Sequence, residues 1–241
     1  MNNKSFWQLP YESRRKAFSE DHPDDFQRLQ ALKTVEPEQL SLPTFKPFLD
    51  KKCIFLHIPK TAGISLGYSL FGRHTGNHTT LQEYQIAFSE EEYNDLYKFA
   101  FVRNPWDRLL SAYMFLKAGG RNPGDAAWAQ RHLGDYTGFD TFVKHWVSEE
   151  NIQKGMHFKP QSQFITVPNN DEVGVDFLGK FENLEADFKR LREELQFGDD
   201  LIFKNKTASK VKKYQSYYTQ ESKEVVAKVY QRDIELLGYS F

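Results

Sequence analysis

The chain has a single cysteine, Cys53, in 241 residues. No internal disulfide can form, and zinc sites built on paired cysteines are excluded. Cys53 stands in an apolar run, where a lone thiol is expected to act as a small buried hydrophobe. Long hydrophobic runs are also missing. None approaches the ~20 apolar residues that a membrane-spanning helix needs. The start, MNNKSFWQLPYESRRK, has no apolar core of the kind a signal peptide carries. The expectation is a soluble, cytoplasmic protein, at most peripheral to a membrane. An excess of charge of either sign is missing too, since the formal net charge is −1. Wholesale attraction to nucleic acid or anionic lipid is therefore not expected. There is no internal repeat and no low-complexity tract.

What is abundant is aromatic: 21 Phe and 12 Tyr. Such a chain has the means to bury a sizeable core. Residues 1–50 are polar and interrupted by Pro10, Pro23, Pro37 and Pro43. They are predicted to form an N-terminal arm with one or two short helices, leaving 51–241 as the main domain. Three apolar runs read as strands: KCIFLHI at 52–58, YKFAFV at 97–102 and VDFLGKF at 175–181. Continuous apolar runs separated by helical patterns predict a parallel sheet covered on both faces. Asn104 followed by Pro105 predicts a helix start, with Trp106, Leu109, Leu110, Tyr113 and Leu116 at helical spacing. Residues 182–195 read as an amphipathic helix. A C-terminal helix is expected from a cap at Thr219 to a stop at Gly238. Residues 118–136 read as a long loop with turn signals.

Two stretches point to anion binding. FLHIPKTAGISL, at 55–66, is a strand, a short loop and a helix start. That arrangement gathers backbone N–H groups where the helix dipole favours an anion. Gly63 permits close approach of the backbone, Thr61 and Ser65 add hydroxyls, and Lys60 adds a positive charge. The order differs from the G-x-x-x-x-G-K-[ST] loop of nucleotide hydrolases, because the lysine comes early. No apolar strand ending in an aspartate for Mg²⁺ is evident. A donor whose transfer needs no metal is favoured, and sulfuryl groups fit. The second stretch, FAFVRNPWDRLLSAY, at 99–113, places Arg103 at a strand end. Asn104, Asp107 or Arg108, and Ser111 follow along one helical face, and an arginine fork suits phosphate. A plain strand–helix turn, and a surface Arg103 paired with Asp107, are the structural alternatives.

Together HIPKTAGIS and FAFVRNPWDRLLSAY resemble the sulfotransferases of the carbohydrate class, the family 2 type, which use 3′-phosphoadenosine-5′-phosphosulfate (PAPS). The resemblance runs on through VDFLGKFENLEADF and DIELLGYSF and covers residues 52–241. It implies an α/β fold: a P-loop NTPase-like three-layer domain with a central parallel sheet flanked by helices. It implies that Lys60, Thr61, Ala62, Gly63, Ile64 and Ser65 hold the 5′-phosphosulfate and that Arg103 and Ser111 hold the 3′-phosphate. Lys204, Lys206, Lys210, Lys212 and Lys213 lie in a stretch with no acidic residue. The family's Asn-x-Ser element here reads Thr207-Ala208-Ser209, so Ser209 and Lys210 are the expected cofactor contacts.

Sulfuryl transfer needs the charge on the leaving phosphate oxygen neutralised and the acceptor's proton removed. Lys60 suits the first need. For the second, the family carries a His-x-Thr element where this chain has His78-Thr79-Thr80, which makes His78 the candidate base, with Glu83 second. His57 is expected to be structural, and His74, His132, His145 and His157 to be surface or acceptor-site residues. Trp128, Arg121, Arg131 and His132 are placed to cover the acceptor. The expected acceptor is a hydroxyl of a carbohydrate or glycoconjugate, with an amine less favoured and no metal required. A nucleotide kinase on the same fold and a non-catalytic nucleotide-binding protein are the alternatives.

Overall fold

The computed structural model describes residues 4–36, 44–73, 75, 77–167, 172–202 and 213–241. It is an α/β fold with a three-stranded parallel sheet flanked by helices, as the apolar runs predict. The strands are β1 (Cys53–Leu56), β2 (Tyr97–Val102) and β3 (Phe177–Lys180), in the order β1-β2-β3. β1 pairs in parallel with β2, Cys53 opposite Tyr97 and Phe55 opposite Phe99. Those two phenylalanines stack with ring centres 5.1 Å apart. Every residue of β1 is buried, as a strand covered on both faces requires. Burial pushes the Cys53 thiol up to about 12.

The chain divides into two compact units. The first comprises 1–58, 62–101 and 162–205 and contains the sheet. The N-terminal segment is more helical than its sequence suggested. Lys4–Trp7, Tyr11–Asp21, Pro23–Thr34 and Lys46–Asp50 are all helices. The middle two pack on the helix Leu81–Ala87. Arg15 Nε donates to Ile86 O at 3.1 Å and Gln30 Nε2 to Ala87 O at 2.8 Å. Two carbonyls at the C-terminal end of that helix, which have no partner within it, are thereby satisfied. Phe45, Phe48, Tyr84 and Phe88 fill the space beneath, all fully buried.

The second unit comprises 59–61, 102–161 and 206–241. Its core is an aromatic cluster in which Trp106, Tyr113, Phe142, Trp146, Phe158 and Tyr230 are buried. Asn104 caps the helix Pro105–Lys117, its Oδ1 accepting from Trp106 N at 3.1 Å. Here two sequence expectations are corrected. The predicted loop over 118–136 contains the helix Pro123–Leu133, opened by Asn122, whose side chain accepts from Asp125 N. The cap-then-proline signal is the one that marks Asn104-Pro105, but the flanking glycines mask it. The single predicted C-terminal helix is two, Gln220–Val229 and Gln231–Leu237. They part at Tyr230, whose hydroxyl donates to Phe158 O at 2.6 Å from a fully buried position. Thr219 and Gly238 mark the outer ends as expected, with Gly238 left-handed at φ 64°.

Candidate functional site

The loop between β1 and the helix Gly63–Phe71 is built on unusual backbone. Lys60 has φ 71° and Ala62 has φ 67°. A residue bearing a Cβ is strained by about 1–2 kcal/mol in this left-handed region. Strain of that kind is held by surrounding structure and concentrates at ligand-gripping segments. No side chain caps the helix that follows. Turns that alternate handedness turn successive N–H groups toward one point, and a helix start adds its dipole. Thr61 is fully buried and Ser65 nearly so. Lys60 and Ile64 are half-buried.

Within the second unit, Lys60 and Arg103 are brought together. Arg103 Nη1 donates to the Lys60 carbonyl at 3.2 Å, and its Nε donates to Asp107 Oδ2 at 2.8 Å. The strand-end backbone of Arg103 is clamped by Gln161, which accepts from its N–H at 2.9 Å and donates to its carbonyl at 2.8 Å. The Lys60 ammonium stands 3.9 Å from the centre of the Phe115 ring. Burial, aided by the Arg103 charge, pulls Lys60 down to about 8, against a smaller opposing pull from Asp125. Ser111 is half-buried, one turn beyond Asp107 on the helix Pro105–Lys117. Of the two sequence alternatives for that face, Asp107 is the one beside Arg103. Arg108 is instead a fully buried cation that donates to the carbonyls of His157 and Lys159 at 3.2 and 2.6 Å. Buried charge is tolerated only when so tied.

Within the first unit, His57, Gly63 and His78 form a second cluster. The His57 ring lies so close to Gly63 that an added Cβ would sit 1.9 Å from it, which restricts position 63 to glycine. The rings of His57 and His78 have centres 4.4 Å apart. His78 Nδ1 lies 2.7 Å from the His57 carbonyl. A carbonyl only accepts, so Nδ1 carries the proton and, in the neutral ring, Nε2 is the acceptor. His78 has φ 53°, a third strained residue. Glu83 is committed elsewhere: its Oε2 accepts from Thr80 N at 2.8 Å in a capping box, and its Oε1 lies 3.6 Å from Arg28.

Ser209 and Lys210, with the lysines at 204, 206 and 212, lie outside the described residues, as does His74. Trp128 pins its helix to the aromatic core. Its Nε1 donates to Lys154 O at 2.9 Å and its ring packs on Trp146, Phe158 and His132. Sequence reasoning missed Phe115 and Asp125. Both carry a faint signal: Phe115 falls two turns after Asp107 on the Ser111 face, and Asp125 follows an Asn-Pro helix start.

A model of the Sulfotransferase family matches residues 45–240. An uncharacterized protein of Archaeoglobus fulgidus is 26% identical over 111 residues, which cover 46% of this chain and 77% of the relative. No solved structure gives a significant match. Matched over residues 45–240, most of its length, the chain belongs to the Sulfotransferase family, a class of transferases for which PAPS is the cosubstrate.

Proposed function

We propose that the protein moves a sulfuryl group from PAPS to a hydroxyl of a carbohydrate or glycoconjugate. The observation that carries this reading is the strained, uncapped loop at Lys60–Ala62, with the early lysine and Arg103 joined at one carbonyl. Those donors suit a phosphosulfate. Backbone N–H groups of residues 60–65 and the hydroxyls of Thr61 and Ser65 would hold its 5′ end. Arg103 and Ser111 would hold the 3′-phosphate, with Ser209 and Lys210 as further contacts.

PAPS, when bound, supplies the sulfuryl group and departs as 3′,5′-adenosine bisphosphate. His78 Nε2 takes the proton of the acceptor hydroxyl as the new S–O bond forms. The Lys60 ammonium neutralises the charge left on the bridging oxygen as the old S–O bond breaks. The proton thus ends on His78 and the negative charge beside Lys60. Neither role requires a metal. Glu83 is the weaker base candidate because its carboxylate already caps a helix.

An acceptor screen with mass-tagged PAPS tests the reading directly, with sulfate appearing on a sugar hydroxyl as the expected result. Titration with 3′,5′-adenosine bisphosphate should show binding that ATP–Mg²⁺ does not match. ATP binding without bisphosphate binding would sink the proposal. Arg103→Ala should weaken the bisphosphate by about 1.5–3 kcal/mol, roughly ten- to 150-fold in Kd by calorimetry. Because Arg103 also engages Asp107, the variant's melting temperature should be read alongside. An unchanged Kd in a folded variant would remove Arg103 from the phosphate site.

A further inference from the structure

Phe115 has no place in the roles above, yet the proposed catalytic lysine stands over its ring. The helix Pro105–Lys117 carries Asp107, Ser111 and Phe115 at successive i, i+4 positions, on one stripe. Arg103 enters at the head of that stripe through its bond to Asp107. Phe115 is half-buried, with the Lys60 ammonium 3.9 Å from its ring centre and the His157 ring 5.1 Å away. A cation that close to a phenyl centre is held by the ring quadrupole.

We propose that Phe115 is a positioning residue for Lys60: its face parks the ammonium at the loop, and its body keeps water from it until an anion arrives. This inference rests on the assignment of Lys60 to the phosphosulfate loop. Two effects of the ring oppose each other. The quadrupole favours the charged lysine, and the excluded water disfavours it. In this proposal the exclusion of water outweighs the quadrupole, in line with the lowered proton affinity of Lys60, for which burial is the largest cause. Among the described residues, the charged groups that act on Lys60 are Arg103, which disfavours its charge, and Asp125, which favours it. Asp107 is paired with Arg103, and His157 packs on Phe115. An ammonium held by a ring face and little water leaves for a phosphate oxygen without first shedding a hydration shell.

The test is trace acetylation of Lys60 across pH in the full chain, read by mass spectrometry, in wild type, Phe115→Tyr and Phe115→Ala. It needs neither nucleotide nor acceptor. Wild type and Phe115→Tyr should label with a midpoint near pH 8. Phe115→Ala admits water and should raise the midpoint by about one pH unit. An unmoved midpoint in folded Phe115→Ala overturns the proposal. If that variant does not fold, Phe115→Leu keeps the apolar bulk and removes the quadrupole. Its midpoint should then fall below wild type, and an unmoved one overturns the proposal equally. The alkaline limb of kcat/KM should follow the labelling midpoint. A limb that stays put while the midpoint moves supports the Phe115 platform and removes Lys60 from the transfer step.

Discussion

Replacing His78 by alanine is expected to lower turnover about 10²–10⁴-fold, the usual range for loss of a general base. Affinity for 3′,5′-adenosine bisphosphate should change little, because no nucleotide contact is assigned to the ring. One hydrogen bond fixes the tautomer. With Nδ1 donating to the His57 carbonyl, the neutral ring has a single lone pair for proton transfer, on Nε2. Backbone strain complicates the alanine variant, since position 78 sits at φ 53°. Asparagine tolerates that region better than most residues. His78→Asn therefore separates lost chemistry from a disturbed turn, and both variants should show the same large loss of kcat. A loss below about threefold would fall well outside the range for a general base and move the role elsewhere.

Lys60→Ala should lower kcat by about 10²–10³, the scale for removing one donor aimed at developing charge. The strain at φ 71° is common to both residues, because each carries a Cβ, so it does not confound the comparison. The expected signature is a larger loss in kcat than in bisphosphate affinity. The pH profile gives a second reading. Lysine is active here as the cation, and its proton leaves as pH rises through about 8 in the free enzyme. kcat/KM should accordingly be sustained below that pH and fall above it, and the limb should vanish in Lys60→Ala. Full activity in a sulfation assay with Lys60→Ala would end the catalytic assignment.

The parts of the fold written in continuous apolar runs were legible from sequence. β1 and β2 lie within the predicted runs KCIFLHI and YKFAFV because strands buried on both faces need no alternation. The helix Pro123–Leu133 was not legible. It buries only Ala129 and Leu133, so its periodicity is faint, and Gly119, Gly120 and Gly124 dominate its local composition. In the site, residue types were legible and backbone was not. Lysine and alanine have no intrinsic reason to sit at positive φ, and only tertiary context puts Lys60 and Ala62 there. The partners of Lys60 were hidden for a related reason. Phe115 is one phenylalanine among 21, its place on the Ser111 stripe is a faint mark, and its ring packs against the aromatic core as well as the Lys60 ammonium.

The depth of Cys53 has a practical consequence for watching this enzyme work. The thiol is fully buried and its proton is held to about 12, so maleimide or iodoacetamide at neutral pH meets almost no thiolate there. A cysteine introduced on the surface, at exposed Met114 for example, would then be the one handle that takes a fluorophore or spin label. A pair of such cysteines within a single unit would make a distance there measurable without first building a cysteine-free background.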